Sequence, residues 1–368
     1  MGRFKGACFE YTNTLVHLLG SVNEALEEML MKNRLWIACA GVVAMLMLLP
    51  GAPASAQQKS EVTLSRQPGI FYMPSHIMEK NKLIEKHAAA LGVPGVTTKC
   101  LTLSGGGAQT DALLAGGVDI LNTGTGNLLL LWDRTRGGVK GIVATSAQPM
   151  TLISRDANIK SLKDIGPNDK IAVPTVKVST QAIVLQIAAA ELFGSDQWSK
   201  LDANTVQLGH PDAYVAMSNS QHEVRNHFAI PPFTFLELKN VPGAHVVLRS
   251  PDVMGGPLSQ AQFFTTTKFA DANPKIVQAV RDATKEAQDL IRSDTKTAVE
   301  IYKEITGDKT SVDDLLAWLK EPGMMEWNLQ PQGTMKFAAH LHKVGTLKTL
   351  PKAWTEYYLP VAHDLKGN

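Results

Sequence analysis

Short strand patterns alternate with helical patterns along most of the chain after residue 60, and this alternation is the feature that most restricts the fold. We predict strands at 62–65, 97–103, 118–122, 139–145, 150–154, 170–174, 205–208, 224–230, 245–248 and 263–267. Helical patterns stand between many of them, at 75–80, 82–91, 108–115, 127–134 and 180–193. Because such alternation is typical of parallel sheets covered by helices on both faces, the sequence predicts an α/β fold with parallel sheets.

Two helices carry the clearest local signals. Residues 180–193 are apolar on nearly every side and are followed by Gly194, so we expect a buried helix that ends at this glycine. Asn273 and Pro274 suit the N-cap and the first position of a long amphipathic helix. A chain of 368 residues suggests about two domains. No linker rich in Pro, Gly or Ser separates them, so we expect short crossovers near 147–150 and 248–253.

The N-terminal region has the sequence pattern of an export signal. An uncharged apolar run at 35–49 follows Lys32 and Arg34 and precedes the Ala54-Ser55-Ala56 segment. This is the pattern of a signal peptide, with cleavage expected after Ala56. A membrane anchor is the alternative, but fifteen apolar residues fall short of the roughly 20 that a spanning helix needs. Either Met29 or Met31 would begin a leader of ordinary length, so we expect translation to start downstream of residue 1.

Charge and cysteine content exclude several classes of protein. A net charge of +2 gives no basic excess with which to displace counterions, which argues against a nucleic-acid partner. Cys8 and Cys39 precede the predicted cleavage site, so Cys100 is the lone thiol of the mature chain, and we expect it to be buried and inert. The absence of a C-x-x-C pair argues against a structural zinc site. We expect no metal and no cofactor.

Common catalytic motifs are missing from the sequence. It contains no G-x-S-x-G, no H-E-x-x-H and no Walker A pattern. An S-x-x-K match at 293–296 stands at the end of a helical pattern, where we assign it no catalytic role. His222 and His227 are five residues apart and would lie on different faces of a strand or a helix. We therefore expect both to be solvated rather than to form a metal pair.

Two glycine-rich segments each follow a predicted strand and open a helix. They are 104–110 (SGGGAQT) and 123–127 (TGTGN). Glycines let backbone N–H groups converge, and a helix start adds about half a positive charge, so an anion could bind there without a cationic side chain. The alternative for each is a tight turn without a ligand. The first segment lacks the third glycine of the dinucleotide fingerprint. Because both segments follow strand ends, they would face one crevice of an open sheet.

The order of these elements resembles the substrate-binding proteins of bacterial ABC importers, in particular the nitrate, sulfonate and taurine family that also contains the thiamine-pyrimidine-precursor binders. Three segments carry the resemblance: 111–120 (DALLAGGVDI), 161–174 (SLKDIGPNDKIAVP) and 269–274 (FADANP). The match spans nearly all of 60–360. It implies a two-lobed periplasmic-binding-protein fold of type II, with two hinge crossovers and a ligand cleft between the lobes. We place lobe 1 at 57–148 and 249–368, and lobe 2 at 149–248.

The resemblance also implies which residues face the ligand. Arg66 and Lys177 are the candidate charge partners, Ser104, Thr123, Thr125 and Ser179 are candidate hydroxyl donors, and Phe71 and Tyr72 are candidate apolar walls or lobe core. The full set of expected ligand-binding residues is Arg66, Gln67, Phe71, Tyr72, Gly106, Gly107, Gln109, Thr123, Gly124, Thr125, Asn127, Gln148, Lys177, Ser179, Thr180 and His210.

The implied function is capture of a small organic solute, expected to be anionic, by hinge closure and its delivery to a membrane permease with its ATPase. The protein would be a periplasmic monomer that performs no catalysis. One rival is an exported enzyme of the same fold. It would need a nucleophile or base in the cleft, and the nearest histidines (His76, His87 and His210) show no partner in the sequence. A second rival is a ligand-sensing adaptor.

The leader generates the first testable prediction. N-terminal sequencing of exported protein should begin at Gln57, because the small residues Ala54 and Ala56 precede the expected cut. A mature chain that retains the apolar run at 35–49 would contradict the predicted export with cleavage.

Overall fold

The fold is described by a computed structural model that covers residues 59–368 together with Met29 and Met31. The predicted leader, its cleavage site, Cys8 and Cys39 lie outside these described residues. No helix in the described part of the chain combines the length and the apolar character needed to cross a membrane.

The described strands and helices alternate as the sequence pattern predicts. The strands are β1 (Glu61–Arg66), β2 (Thr97–Thr102), β3 (Ile120–Gly124), β4 (Val139–Ser146), β5 (Thr151–Ser154), β6 (Lys170–Val173), β7 (Thr205–Gln207), β8 (Val224–Ala229), β9 (His245–Arg249) and β10 (Ala261–Thr266). The helices are α1 (Met73–Lys80), α2 (Leu83–Ala90), α3 (Gly106–Leu114), α4 (Thr125–Arg134), α5 (Thr180–Phe193), α6 (His210–Ser218), α7 (Phe233–Asn240), α8 (Ser250–Met254), α9 (Thr267–Ala272), α10 (Pro274–Ser293), α11 (Thr295–Thr306), α12 (Val312–Leu319) and α13 (Thr334–Lys343).

The strands form two separate five-stranded sheets. The first has the order β2-β1-β3-β10-β4, and the second has the order β7-β6-β8-β5-β9. We call the part of the chain built on the first sheet lobe 1 and the part built on the second sheet lobe 2. The chain leaves the first sheet after β4 and returns to it at β10, so two short connections join the lobes. These two α/β lobes confirm the predicted fold class.

Each sheet is mixed rather than parallel, which corrects the expectation of parallel sheets. β10 runs antiparallel to both β3 and β4, and β5 runs antiparallel to both β8 and β9. These two strands are the first that the chain forms after each passage between the sheets. Neither strand follows a crossover helix from a neighbouring strand of its own sheet, which is the connection that parallel neighbours require.

Two large apolar clusters form the core of the described residues. One lies within lobe 1, between its sheet and helices α1, α2, α10 and α11, with Ile276, Val280 and Ala283 fully buried. The other includes Leu128 and Leu129 of lobe 1 and Ile183 and Phe228 of lobe 2, so apolar packing is continuous between the lobes. Helix α5 lies in this second cluster and ends at Gly194, as predicted.

The start of α10 departs from the prediction in one detail. Asn273 occupies the N-cap position and Pro274 the first turn, but the Asn273 side chain makes no capping hydrogen bond. Its Oδ1 accepts from the backbone N–H of Lys59 at 3.0 Å, and its Nδ2 donates to the Phe269 carbonyl at 3.0 Å. The amide therefore ties the segment before β1 to α9 instead of closing the helix.

A pair of side-chain contacts joins the lobes through α7 of lobe 2 and α12 of lobe 1, and we call it the clasp. The ring of Phe235 stacks on that of Trp318 with centroids 5.1 Å apart and an interplanar angle of 12°. Lys239 Nζ lies 2.8 Å from a carboxylate oxygen of Asp314. Because both contacts bridge separate lobes, any opening of the lobes at this point must break them.

The clasp generates a prediction about the ligand-free protein. Trp318→Ala removes the stacked ring, whose pairing contributes about 0.5–1.5 kcal/mol beyond its buried area. We expect small-angle scattering to report a larger radius of gyration for this variant than for the wild type. Trp318→Phe keeps an aromatic ring and serves as the matched control. Equal radii for the Ala and Phe variants would show that the clasp does not hold the lobes together.

Candidate ligand site between the two lobes

Four helices begin where the two lobes meet. Helices α3 and α4 start at the ends of β2 and β3 in lobe 1, and α5 and α6 follow β6 and β7 in lobe 2. The loops before them contact each other across the lobes: the backbone N–H of Gly107 donates to Thr175 Oγ1 at 3.3 Å. A further backbone hydrogen bond joins Ile70 N–H to the Pro231 carbonyl at 3.0 Å. The strand-end loops of the two lobes therefore face one shared region.

Glycines permit this close approach. A Cβ on Gly105 would lie 2.9 Å from the Pro174 carbonyl oxygen of lobe 2, a separation that real Cβ atoms do not adopt. A Cβ on Gly126 would collide with the Val178 carbonyl oxygen and with the Ile183 side chain. The two glycine-rich segments singled out from the sequence thus serve a second purpose besides opening helices. They let backbone from one lobe lie directly against backbone from the other.

Many predicted ligand-binding residues are buried polar side chains in this region. Gln67, Gln109, Thr123, Thr125, Asn127, Gln148, Ser179, Thr180 and His210 are all buried. Several of them are already satisfied within their own lobe. Gln67 Nε2 donates to Thr123 Oγ1 at 2.6 Å, the Thr125 hydroxyl donates to the Ser259 carbonyl, and Gln262 Nε2 donates to Thr125 Oγ1 at 2.7 Å. These side chains build the wall of the region.

Other buried polar atoms in the same region have no partner among residues 59–368. They include both amide atoms of Gln148, the hydroxyl oxygens of Ser146 and Thr180, and Oε1 of Gln260, and we call these four residues the unpaired set. Oε1 of Gln109 on α3 and Nδ2 of Asn122 on β3 are buried without a partner as well. Each side chain is at most 3% exposed. Leaving such a group buried without a hydrogen bond costs about 1–3 kcal/mol, so the set marks a place where a bound molecule would supply the missing partners.

The strand register brings the unpaired set together. Gln260 N–H donates to the Ser146 carbonyl at 2.9 Å, which places these two residues side by side. Gly124 pairs with Ala261, directly after Gln260, and a Cβ on Gly124 would lie 2.5 Å from Thr180 Oγ1 of lobe 2. Gln148 follows Ser146 by two residues. The sequence resemblance placed ligand loops at Ser146–Gln148 and Val176–Thr180, which contain three members of the set. Gln260 could not be predicted, because it reaches the site only through the return of the chain to lobe 1.

Arg66 does not face the unpaired set, which corrects its expected role as a charge partner. Its Nη1 lies 2.6 Å from Glu79 Oε2 of α1. Ser65, the preceding residue of β1, accepts from Gln109 Nε2 at 2.9 Å on the other face of the sheet. Since successive strand side chains alternate between faces, Arg66 extends toward α1 and away from the glycine-rich loops. Cys100 lies beside Arg66, and burial raises the pKa of its thiol to about 12, which fits the predicted inert thiol.

Lys177 also lies outside the unpaired set. Its side chain is exposed, and it lines a surface cavity together with Gln186, Trp198 and Asp202. Its backbone has a φ of 65°, which turns the chain just before α5. Among the Lys, Arg, Asp and Glu side chains of residues 59–368, only Arg66 and Glu237 are buried, and each is paired elsewhere. Arg66 and Lys177 therefore both lie apart from the unpaired set.

Phe71 and Tyr72 are fully buried in the apolar cluster that joins the lobes. The Tyr72 carbonyl accepts hydrogen bonds from Ser75 and from His76 Nδ1 at the start of α1. This arrangement favours the core alternative for both aromatic residues. Ser104 is exposed, and Ser179 is the N-cap of α5, where its Oγ accepts from the Ala182 N–H at 3.2 Å. Neither hydroxyl belongs to the unpaired set.

His210 is the outer member of a buried chain of three side chains. His210 Nδ1 lies 2.8 Å from His227 Nε2, and His227 Nδ1 lies 2.5 Å from Glu237 Oε1. A carboxylate at Glu237 can only accept, so with neutral imidazoles each Nδ1 carries the proton and His210 Nε2 becomes an acceptor. Gln181 Nε2 lies 3.3 Å from that atom and can donate to it. Burial lowers the pKa of His210 well below its ordinary value, which keeps the ring neutral.

The burial of His227 corrects the expectation that it is solvated. Its side chain is 0% exposed, because β8 lies inside its sheet between β5 and β6. His222 lies in the turn before β8, where its Nδ1 accepts from the Val224 N–H at 3.1 Å. The described residues contain no group of three or more His, Cys, Asp or Glu side chains arranged to hold a metal ion. A strand flanked by other strands on both sides could not be recognised from the His222–His227 spacing.

Solved structures show where this architecture recurs. The chain is similar to the alkanesulfonate-binding protein SsuA from Xanthomonas axonopodis pv. citri bound to MOPS, with a TM-score of 0.62, 16% identity, and coverage of 84% of this chain and 99% of that one. The periplasmic aliphatic sulphonate binding protein SsuA from Escherichia coli gives a TM-score of 0.60, 16% identity and coverage of 82% and 98%. The periplasmic nitrate-binding protein NrtA from Synechocystis PCC 6803 matches with a TM-score of 0.57 and 14% identity, and the match covers 83% of each chain.

No family model and no curated protein sequence matches this chain. A further solved structure, the Candida albicans CA3427 product, is described as having the generic periplasmic binding protein structural fold and matches with a TM-score of 0.58 and 13% identity over 81% of this chain and 96% of that one. At these identities the shared property is the fold. The chain has the two-lobed fold of the periplasmic binding proteins, as the sequence resemblance predicted.

The buried histidines generate a prediction about pH. The folded-state pKa values of His76 and His210 lie well below the ordinary value of 6.5, and that of His340 is about 4. Between pH 6.5 and the folded-state pKa, the unfolded chain binds more protons than the folded chain. The contribution of these neutral histidines to the free energy of unfolding is therefore fully present above about pH 6.5. Below that pH it falls by up to about 1.4 kcal/mol per pH unit for each such histidine.

Urea unfolding at pH 7.5, 6.5, 5.5 and 5.0 measures this loss. We expect His210→Gln to reduce the pH dependence of the free energy of unfolding below pH 6.5. A wild-type free energy of unfolding that stays constant from pH 6.5 to 5.0 would contradict the assignment of neutral buried imidazoles.

Proposed function

We propose that the mature chain is an exported solute-binding protein of an ABC importer, which holds a small polar molecule between its lobes and delivers it to a membrane permease. The observation that carries this proposal is the unpaired set, whose buried side-chain atoms lack hydrogen-bond partners among the described residues. Three of its members, Ser146, Gln148 and Gln260, belong to lobe 1 and the joint, and the fourth, Thr180, belongs to lobe 2. A ligand that bonds to both lobes favours the closed arrangement by its differential affinity.

The starts of α3, α4, α5 and α6 support an acceptor or anionic group on that molecule. Backbone N–H groups at a helix start lack intrahelical partners, and the helix dipole favours negative charge there. The similar proteins named above are described as binding alkanesulfonates, aliphatic sulphonates and nitrate, which are all anions. An anionic group held by main-chain N–H groups and hydroxyls needs no lysine or arginine beside it.

The alternative of an exported enzyme has one feature in its favour, the His210–His227–Glu237 chain. However, His210 Nε2, the nitrogen that a catalytic base would use, lies against the Gln181 amide. We infer that this series of hydrogen-bonded side chains positions Gln181 at the start of α5. The periplasmic location and the permease partner are part of the proposal and rest on the predicted leader and on the fold.

Closure itself can be tested at Gly126. Gly126→Ala places a methyl group against the Val178 carbonyl across the lobes, so the closed arrangement becomes strained. A thermal-shift screen of the mature chain against sulfonates, nitrate, carboxylates and pyrimidines first identifies a ligand, since saturation at about 100 times its Kd adds roughly 2.7 kcal/mol of stability. We expect Gly126→Ala to weaken the affinity for that ligand at least tenfold, about 1.4 kcal/mol.

Gly117→Ala is the matched control for this experiment. Gly117 is exposed on the same lobe, and a Cβ there would make an ordinary contact at 3.6 Å. Undiminished affinity in Gly126→Ala would contradict binding by closure of the lobes. Turnover of a compound by the purified chain would contradict the proposed transport function.

A further inference from the structure

The chemistry of the unpaired set restricts the ligand further, and this inference rests on the proposed function. Gln148 is 1% exposed, and neither its Nε2 nor its Oε1 has a partner among residues 59–368. Its neighbours Ala147 and Pro149 line a cavity on the outer surface at the joint between the lobes. Gln148 itself does not line that cavity, and its side chain is buried two residues after Ser146 of the unpaired set.

A glutamine amide makes two different demands. In either orientation of the group it presents one oxygen that can only accept and one nitrogen that can only donate. Gln148 therefore needs a donor and an acceptor from whatever molecule lies against it. Reversing the assignment of its nitrogen and oxygen does not remove either demand.

Gln260 repeats the demand for a donor. Its Oε1 is buried without a partner among the described residues, although its backbone N–H is satisfied by the Ser146 carbonyl. The hydroxyls of Ser146 and Thr180 can donate or accept and so adapt to either kind of group. Of the two carbonyl oxygens in the set, that of Gln148 requires a donor in either orientation of its amide, and that of Gln260 requires one in the orientation that the structure shows.

A bare oxyanion cannot meet these demands. Nitrate and sulfate at neutral pH carry only acceptor oxygens, which suit the helix starts, the hydroxyls and the Gln148 N–H groups. They would leave the carbonyl oxygens of Gln148 and Gln260 unpaired and facing negative charge. An ammonium group would satisfy the carbonyls, but the buried carboxylate of the described region, Glu237, is engaged by His227, so a buried cation would lack a counter-charge.

We propose that the ligand is an organic solute that carries a neutral N–H or O–H donor in addition to its acceptor or anionic group, with the donor against the Gln148 and Gln260 carbonyls. Hydroxylated or amide-bearing organic anions meet this description. Donor-free oxyanions, although they share the same anionic group, do not.

Isothermal titration with matched pairs tests this requirement on the mature wild-type chain. Isethionate differs from ethanesulfonate by one hydroxyl group, and succinamate differs from succinate by one amide in place of a carboxylate. We expect the donor-bearing member of at least one pair to bind at least tenfold more tightly than its donor-free counterpart, and nitrate to bind more weakly than that member. Gln148→Leu removes the amide at similar volume and should bring the ratio of affinities close to one.

Gln278→Leu, on α10 and away from the lobe junction, is the control and should keep the wild-type ratio. Gln148→Met provides a second variant without an amide should the leucine variant fail to fold. Donor-free members that bind as tightly as their partners would overturn this inference while leaving the proposed solute-binding function in place. Absence of binding by all five compounds, and in the broader thermal-shift screen, would count against the proposed function itself, and this inference would fall with it.

Discussion

Buried polar groups need partners, and the junction between the two lobes is arranged around this requirement. Inside lobe 1, buried side chains hydrogen-bond to one another or to the backbone in two groups: Gln67 with Thr123, and Thr125 with Ser259 and Gln262. His210, His227 and Glu237 do the same inside lobe 2. Against this satisfied background, the unpaired atoms of Ser146, Gln148, Thr180 and Gln260 stand apart. Buried atoms left unpaired where two lobes meet are natural contacts for a bound molecule.

Close approach of backbone is what places those atoms together. Glycines at 105, 124 and 126 let the loops of lobe 1 lie against Pro174, Thr180 and Val178 of lobe 2. The same approach brings the starts of four helices to one region, so N–H groups and dipoles converge without a charged side chain. Farther from the junction, the clasp between Phe235 and Trp318 adds an aromatic contact that depends on the same arrangement of the lobes.

Under the proposed function, recognition of the ligand depends on hydrogen-bond direction more than on net charge. The buried cation Arg66 is neutralised by Glu79 on the opposite face of β1, and Lys177 is exposed. What remains is a neutral set of amides and hydroxyls in a region of low dielectric, where each mismatch between donor and acceptor is expensive. Such a set can discriminate among molecules that share an anionic group but differ in their donors.

Local pattern was enough to predict the ten described strands, the six helices α1 to α5 and α10, the burial of α5, and the glycine-rich loops at the junction, because period and turn chemistry act over a few residues. The other seven described helices are shorter or less regular in pattern and were not predicted one by one. The alternation of Val62, Leu64 and Arg66 on one face of β1 also contained the signal that Arg66 points into a core. Tertiary structure alone decided the antiparallel insertion of β5 and β10, the burial of His227, and the place of Gln260 beside Ser146 and Thr180. Each of these features depends on which distant segment of the chain packs beside a given strand, and the residue pattern within one segment does not determine its distant neighbours.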